Sequence, residues 1–144
     1  MIDRKLMTAL TLAIALAAGT WGMQRASAEG PAAAPAGPVG FKRTELQRHD
    51  TTTAGREAVM ARGDFEPGAV VPRHSHPGEE VGYIVAGELE VTIEGKPPTT
   101  LKAGESFFVP ANTIHQAKNA GKTAAVVVST YIVEKGKPLA SMAK

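Results

Sequence analysis

The chain has 144 residues and no cysteine. That absence excludes disulfides, thiolate zinc sites, cysteine nucleophiles and a lipid anchor carried on cysteine. Net charge is missing as well once the first 28 residues are set aside. Those residues hold Arg4, Lys5 and Arg25 against Asp3 alone, so the 16 basic and 14 acidic residues of the whole fall to 13 of each. A balanced chain gives no electrostatic case for nucleic acid or for an anionic membrane surface. No stretch has the periodicity of a long helix, and no internal repeat is visible.

What is present begins with an export signal. Arg4 and Lys5 form a short basic region, residues 6–19 are uncharged and mostly apolar, and Ala26-Ser27-Ala28 matches a small-x-small cleavage site. The expectation is a signal peptide over residues 1–28, cleaved before Glu29, and a periplasmic or secreted mature protein free of the membrane. The alternative is an uncleaved anchor, since residues 6–23 stand at the short edge of what spans a bilayer. Residues 29–40 read EGPAAAPAGPVG, a Pro/Ala/Gly-rich linker that cannot build a core.

From Phe41 the texture changes to short apolar runs broken by turn residues, consistent with 15 glycines and 10 prolines in the whole chain. Strands are expected over residues 41–48, 56–65, 69–76, 80–86, 88–94, 99–102, 106–109, 114–118 and 124–133. The clearest is the fifth, where Leu89, Val91 and Ile93 alternate with Glu88, Glu90, Thr92 and Glu94. That is a half-buried antiparallel strand with its acids toward water. Eight or so such strands imply an all-β sandwich or barrel. The domain is placed at residues 41–135, followed by a polar, frayed tail at 136–144.

Three of the four histidines fall into one pattern with a carboxylate. His74 and His76 are two apart and so share a face of a strand; Glu80 follows past the Pro77-Gly78 turn, and His115 comes from a distant strand. Three imidazole nitrogens and one carboxylate oxygen make four good ligands for a divalent metal. Such a group is costly to bury for packing alone. Glu79 competes with Glu80, but adjacent strand residues face opposite sides, so only one points inward. Gly82, Ile84 and Ala86 share the parity of Glu80, which leaves Tyr83 facing away. One of Phe107 and Phe108 should line the pocket, and Arg73 should point outward.

The two segments that carry these residues are GAVVPRHSHPGEEVGYIVAG, residues 68–87, and GESFFVPANTIHQAKN, residues 104–119. In order and spacing they resemble both sequence motifs of the cupin family. One position departs, Asn112 where the family usually has glycine; asparagine tolerates left-handed backbone, so the turn should survive. The resemblance implies a single jelly-roll β-barrel with a metal inside. It also implies His74, His76, Glu80 and His115 as the ligands, with Glu80 chosen over Glu79 by the family spacing, and a homodimer in which residues 41–48 are a plausible edge strand for exchange.

A sulfur-free donor set of this kind suits manganese, iron, nickel, copper or zinc. In an octahedral metal four ligands leave two positions for substrate and dioxygen or water. No second carboxylate or free histidine is placed as a base, which leaves the metal to carry any reaction. The expected function is a metal-dependent oxidoreductase of dioxygenase type acting on a small oxygen-rich molecule. Alternatives are a non-catalytic module binding a sugar-like molecule or a metal, and metal-assisted isomerisation.

Overall fold

The computed structural model describes residues 38–144. The leader assigned to residues 1–28, and the linker assigned to 29–40 apart from its last three residues, lie outside them. Among the described residues no helix is long and apolar enough to cross a membrane. All regular structure there is β: β1 (Phe41–Asp50), β2 (Arg56–Phe65), β3 (Val70–Ser75), β4 (Gly78–Ala86), β5 (Glu88–Ile93), β6 (Thr99–Lys102), β7 (Ser106–Val109), β8 (His115–Lys118), β9 (Ala125–Glu134) and β10 (Ser141–Met142). They form two five-stranded antiparallel sheets, ordered β1-β2-β9-β4-β7 and β10-β3-β8-β5-β6. The strand and turn pattern implies an all-β sandwich or barrel, and the jelly roll is the form that the cupin resemblance implies.

Alternation builds the core. Val59, Ala61 and Phe65 of β2 face inward with Ala125, Val127, Tyr131 and Val133 of β9, and Ile84 and Leu89 are fully buried. Each such aliphatic side chain contributes on the order of 1.5–3 kcal/mol by leaving water. The buried residues fall into two clusters. The larger holds Phe65, Ile84, Leu89, Val91 and Val109, the smaller Val59, Ala61, Tyr131 and Val133. A cavity of about 330 Å³ opens where they meet, lined from both.

Three features differ from the simple alternation. First, β4 begins at Gly78 rather than after a Pro77-Gly78 turn. A Cβ there would run into the backbone of Ile132 and Val133, so glycine lets β4 lie against β9 from its first residue. Second, a register shift lies between Val71 and His74 on β3, opposite Ala117 and His115 of β8. The extra residue sits around Pro72, a position where a strand tolerates proline. Third, the segment after Gly136 is not frayed. Ser141 and Met142 pair with Ser75 and His74 of β3, and Leu139 packs on the smaller core cluster. Reading the tail as polar passes over Leu139, which seats it on the core, and Ala140 and Met142, which line the cavity.

Gly82 faces inward opposite Phe107 of β7, its Cα partner. A Cβ on Gly82 would collide with the Phe107 ring, which fills the space glycine leaves. Gly82→Ala should therefore cost about 1–3 kcal/mol through overpacking. Pairing it with Phe107→Leu should recover most of that. Thermal unfolding of the single and double variants checks this; an unchanged Tm for Gly82→Ala would show that the ring does not depend on that space.

Candidate metal centre

The four residues singled out in the sequence come together, from both sheets. His74 lies on β3, His115 is the first residue of β8, Glu80 lies on β4, and His76 stands in the link between β3 and β4. All four are buried, with Glu80 at 5% exposure. His74 and His115 are Cα partners across β3 and β8, and their ring centroids are 4.2 Å apart. The register shift at Pro72 is what brings this about. Without the extra residue, Arg73 would stand opposite His115 and His74 would face the other way. As it is, Arg73 points to solvent beside Glu94, as expected.

The hydrogen bonds decide which nitrogens are free. His74 Nδ1 donates to the carbonyl of Pro72 at 2.7 Å, His76 Nδ1 to that of Leu139 at 2.5 Å, and His115 Nδ1 to that of Thr113 at 3.0 Å. A carbonyl oxygen only accepts, so each Nδ1 carries a proton, and in the neutral ring each Nε2 then presents a lone pair. One ligand nitrogen from each ring lies within 4.8 Å of the others. Glu80 Oε2 stands 3.2 Å from His76 Nε2 and 3.1 Å from His115 Nε2. His76 Nε2 and Glu80 Oε2 are both buried without a hydrogen-bond partner.

Lone pairs aimed at a buried carboxylate repel it, and no lysine or arginine among the described residues pairs with Glu80. Leaving such groups unpaired is expensive. A divalent cation among the four atoms would satisfy all of them at once, so the residues present fit a metal. Burial, helped by His115 nearby, pushes the His74 imidazole down to about 4, which keeps it neutral and available as a ligand. Burial by itself would raise Glu80. Positive charge beside it, whether protons on His115 and His76 or a divalent cation in their place, outweighs burial and holds the carboxyl well below its usual range, so it is ionised.

The second motif is tied to this centre through Asn112. Its φ of 58° is the left-handed backbone expected where the motif usually has glycine. That turn lets the Asn112 N–H donate to the carbonyl of His76 at 2.9 Å. A model of the cupin domain matches residues 61–131, the stretch that holds all four residues and both motifs. The chain belongs to the cupin family. Germin-like protein 3-5 of Oryza sativa subsp. japonica is 37% identical over 105 residues, covering 67% of this chain and 46% of that protein. Oxalate oxidase 1 of Hordeum vulgare is 36% identical over 105 residues, covering 65% and 51%. Among solved structures, recombinant oxalate oxidase in complex with glycolate aligns with a TM-score of 0.59 at 33% identity, over 72% of this chain and 55% of that one. The chain spans about half the length of these relatives.

The rest of the cupin cavity is mainly apolar. Glu79 is only half-buried, so Glu80 is the carboxylate that faces the rings. Tyr83 is exposed, as its parity requires, and of the two phenylalanines Phe107 lines the cavity while Phe108 is exposed. Gly82 and Ile84 face inward, but Ala86 is only half-buried because the register with β9 shifts between Ile84 and Ala86. Three polar lining residues went unnoticed in the sequence: Arg43 on β1, and Ser129 and Tyr131 on β9. The Tyr131 ring stacks edge-on to His76 at 4.7 Å, and Tyr131 is the Cα partner of Glu80. Burial first, and the Glu80 charge beside it, push the Tyr131 phenol above its usual range, so it stays protonated. The signal was there in the strict alternation of Ala125, Val127, Ser129, Tyr131 and Val133.

Proposed function

We propose that this cupin holds one divalent transition metal on His74, His76, Glu80 and His115 and oxidises a small oxygen-rich molecule. The observation that carries the reading is three imidazoles, each anchored through Nδ1, converging beside a buried carboxylate that has no hydrogen-bond partner. The metal is manganese, iron, nickel, copper or zinc, the range that a nitrogen and oxygen donor set accepts. Likeness to an oxalate oxidase, and to one solved with glycolate, supports a small acid or hydroxy acid as substrate.

When bound, a metal with open positions supplies Lewis acidity and, if redox-active, electron exchange with substrate and dioxygen. The chain's own residues do the rest. Phe65, Leu89, Val91 and Phe107 line the cavity with apolar surface that keeps water scarce. Tyr131, held protonated, donates a hydrogen bond to a substrate oxygen but takes no proton near neutral pH. Arg43 lines the same cavity from β1, and no carboxylate among the described residues lies within ion-pair distance of it. It suits the carboxylate end of a substrate. Arg43→Gln should raise KM for a carboxylate substrate about tenfold, the value of one charge-assisted hydrogen bond, and leave kcat nearly unchanged. Steady-state kinetics checks this; an unaltered KM would remove Arg43 from substrate binding.

Oxygen uptake by the metal-loaded protein is the direct test, with small 2-hydroxy acids, dicarboxylates, enediols and catechols. Uptake with none of them would overturn the oxidase reading. The second reading, a non-catalytic binding module, is favoured by one observation: the cavity holds no group poised as a general base. A ligand would then raise the Tm by mass action without turnover.

This cupin also pairs as a homodimer. β1 is an edge strand exposed along nearly its whole length. Val81, Tyr83 and Val85 of β4 and Phe108 of β7 form an exposed apolar group on the outer face of the same sheet. A second copy would cover that face. Sedimentation should give a dimer, and the Val81→Glu, Tyr83→Glu double variant a monomer; a monomeric parent would sink this part.

A further inference from the structure

The three histidines are not held alike. His74 and His115 each donate from Nδ1 to the carbonyl two residues before them in their own strand. His76 lies beyond the end of β3 and donates to Leu139, 63 residues away. The segment that supplies this acceptor is fixed by three other contacts. Leu139 packs against the cluster formed by Val59, Ala61, Tyr131 and Val133. Ser141 and Met142 pair with Ser75 and His74. The Ala143 N–H donates to the carbonyl of Arg73 at 2.9 Å. Ala140 and Met142 also line the cavity.

We propose that residues 139–142 are a positioning element of the metal centre, whose docking sets the tautomer of His76 and completes the cavity wall. The inference rests on the metal reading of the site. A neutral imidazole carries one proton, on either nitrogen. With Leu139 docked, the proton sits on Nδ1 and the Nε2 lone pair is free for a metal. With Leu139 withdrawn the wall opens, and the Nδ1–H keeps only water as an acceptor while Nε2 still faces a buried carboxylate, the stronger acceptor. The proton is then better placed on Nε2, 3.2 Å from Glu80 Oε2. That tautomer joins His76 to Glu80 by a hydrogen bond and takes both atoms away from a metal. Docking of the tail thus separates a metal-ready arrangement from a self-closed one. The exchange moves a proton within one ring and needs no change of charge.

The test compares the full chain with a chain ended after Pro138, with cobalt(II) as the probe. Affinity comes from competition with a chelator, and ligand geometry from the visible d–d spectrum. Thermal unfolding shows that the shortened chain still folds. Losing the partner of a metal-ligating histidine costs about 10–100-fold in affinity. The shortened chain should show that loss and an altered spectrum, and its His76 nitrogen shifts in long-range ¹H–¹⁵N spectra should report the proton on Nε2. Unchanged affinity and spectrum would overturn the role of the tail. Failure of the full chain to bind cobalt would overturn the metal reading itself, and this inference with it.

If the shortened chain does not fold, a reversible lock decides the matter. Ser75 and Ser141 are directly opposed on antiparallel strands, a spacing that a disulfide spans. The chain has no other cysteine to interfere. Leu139→Gly should weaken cobalt binding. In the triple variant with Ser75→Cys and Ser141→Cys, oxidation should restore binding and reduction should remove it again. Affinity indifferent to the crosslink would reject the proposal.

Discussion

His115→Ala should strip the metal and the activity together. Protein purified with its native metal should carry roughly one equivalent in the parent and below roughly a tenth in the variant, because in the proposed site each of the three nitrogens would be a primary ligand beside a single carboxylate. Metal analysis beside oxygen uptake reads both. Activity that survives in metal-free protein would end the oxidase reading. Glu80→Gln provides the sharper companion, since it should move affinity and stability in opposite directions. In the metal-free chain with neutral rings, an ionised Oε2 would face His76 Nε2 at 3.2 Å and His115 Nε2 at 3.1 Å with no proton between them. The amide of glutamine can donate to those nitrogens. The metal-free variant should therefore be more stable than the metal-free parent by about 1–3 kcal/mol, the relief of a buried unsatisfied acceptor. With loss of the metal ligand it should also lose the rise in Tm that metal gives the parent. A structural carboxylate behaves otherwise. If Glu80 were held by protonated imidazoles, glutamine would break an ion pair and destabilise the metal-free chain. That outcome would remove the observation on which the metal reading stands.

Much of this centre could be read in the sequence, and the parts that could not share a physical cause. Alternation from Leu89 to Ile93 and the turn residues around it give the strands and an all-β sandwich or barrel, because each depends on residues near in sequence, while the jelly roll comes from the family motifs. The spacing of His74, His76, Glu80 and His115 is local in the same sense within each motif. Strand parity left Glu79 and Glu80 as alternatives, and the family spacing chose between them; Glu80 is the one that faces the rings. The register shift at Pro72 changes which residue of β3 faces in. Proline in a strand was its only local sign. Arg43 lines the cavity because of where β1 runs relative to the opposite sheet, which no pattern within residues 41–50 encodes. The tail is the extreme case. Its polar residues suggested fraying, yet Leu139 finds a seat in the core and its carbonyl finds His76. Contacts made across 63 residues leave no periodicity to read.

Asn119→Asp should be among the most damaging single changes outside the metal centre, although it alters one side chain by an atom. Asn119 is fully buried at the end of the second motif. Its Nδ2 donates to the carbonyls of Phe65 at 3.0 Å and Thr123 at 2.8 Å, and its Oδ1 accepts from the Gly121 N–H at 3.0 Å. Its own backbone receives the Gly68 N–H and donates to the Ala69 carbonyl, both at 2.9 Å. One residue thus ties the start of the first motif to the end of the second. Aspartate keeps the acceptor for Gly121 but turns the donor into a second oxygen facing two carbonyls. Two acceptors lose their partner in a buried site, and a charge is buried beside them. The cost should be about 3–5 kcal/mol near neutral pH. Protonation restores one donor, so the folded-state pKa of the new carboxyl lies above its unfolded value of about 3.9. The folded form then binds more protons than the unfolded one, and the stability deficit grows as pH rises through that raised pKa. Denaturant unfolding of parent and variant between about pH 4 and pH 8 reads the trend. A deficit that is flat with pH would mean that the carboxyl has escaped to water and the loop has opened. In the folded fraction metal affinity should hold, since Asn119 follows β8 at the end opposite His115. The strands can be weakened there without disturbing the proton on any of the three rings.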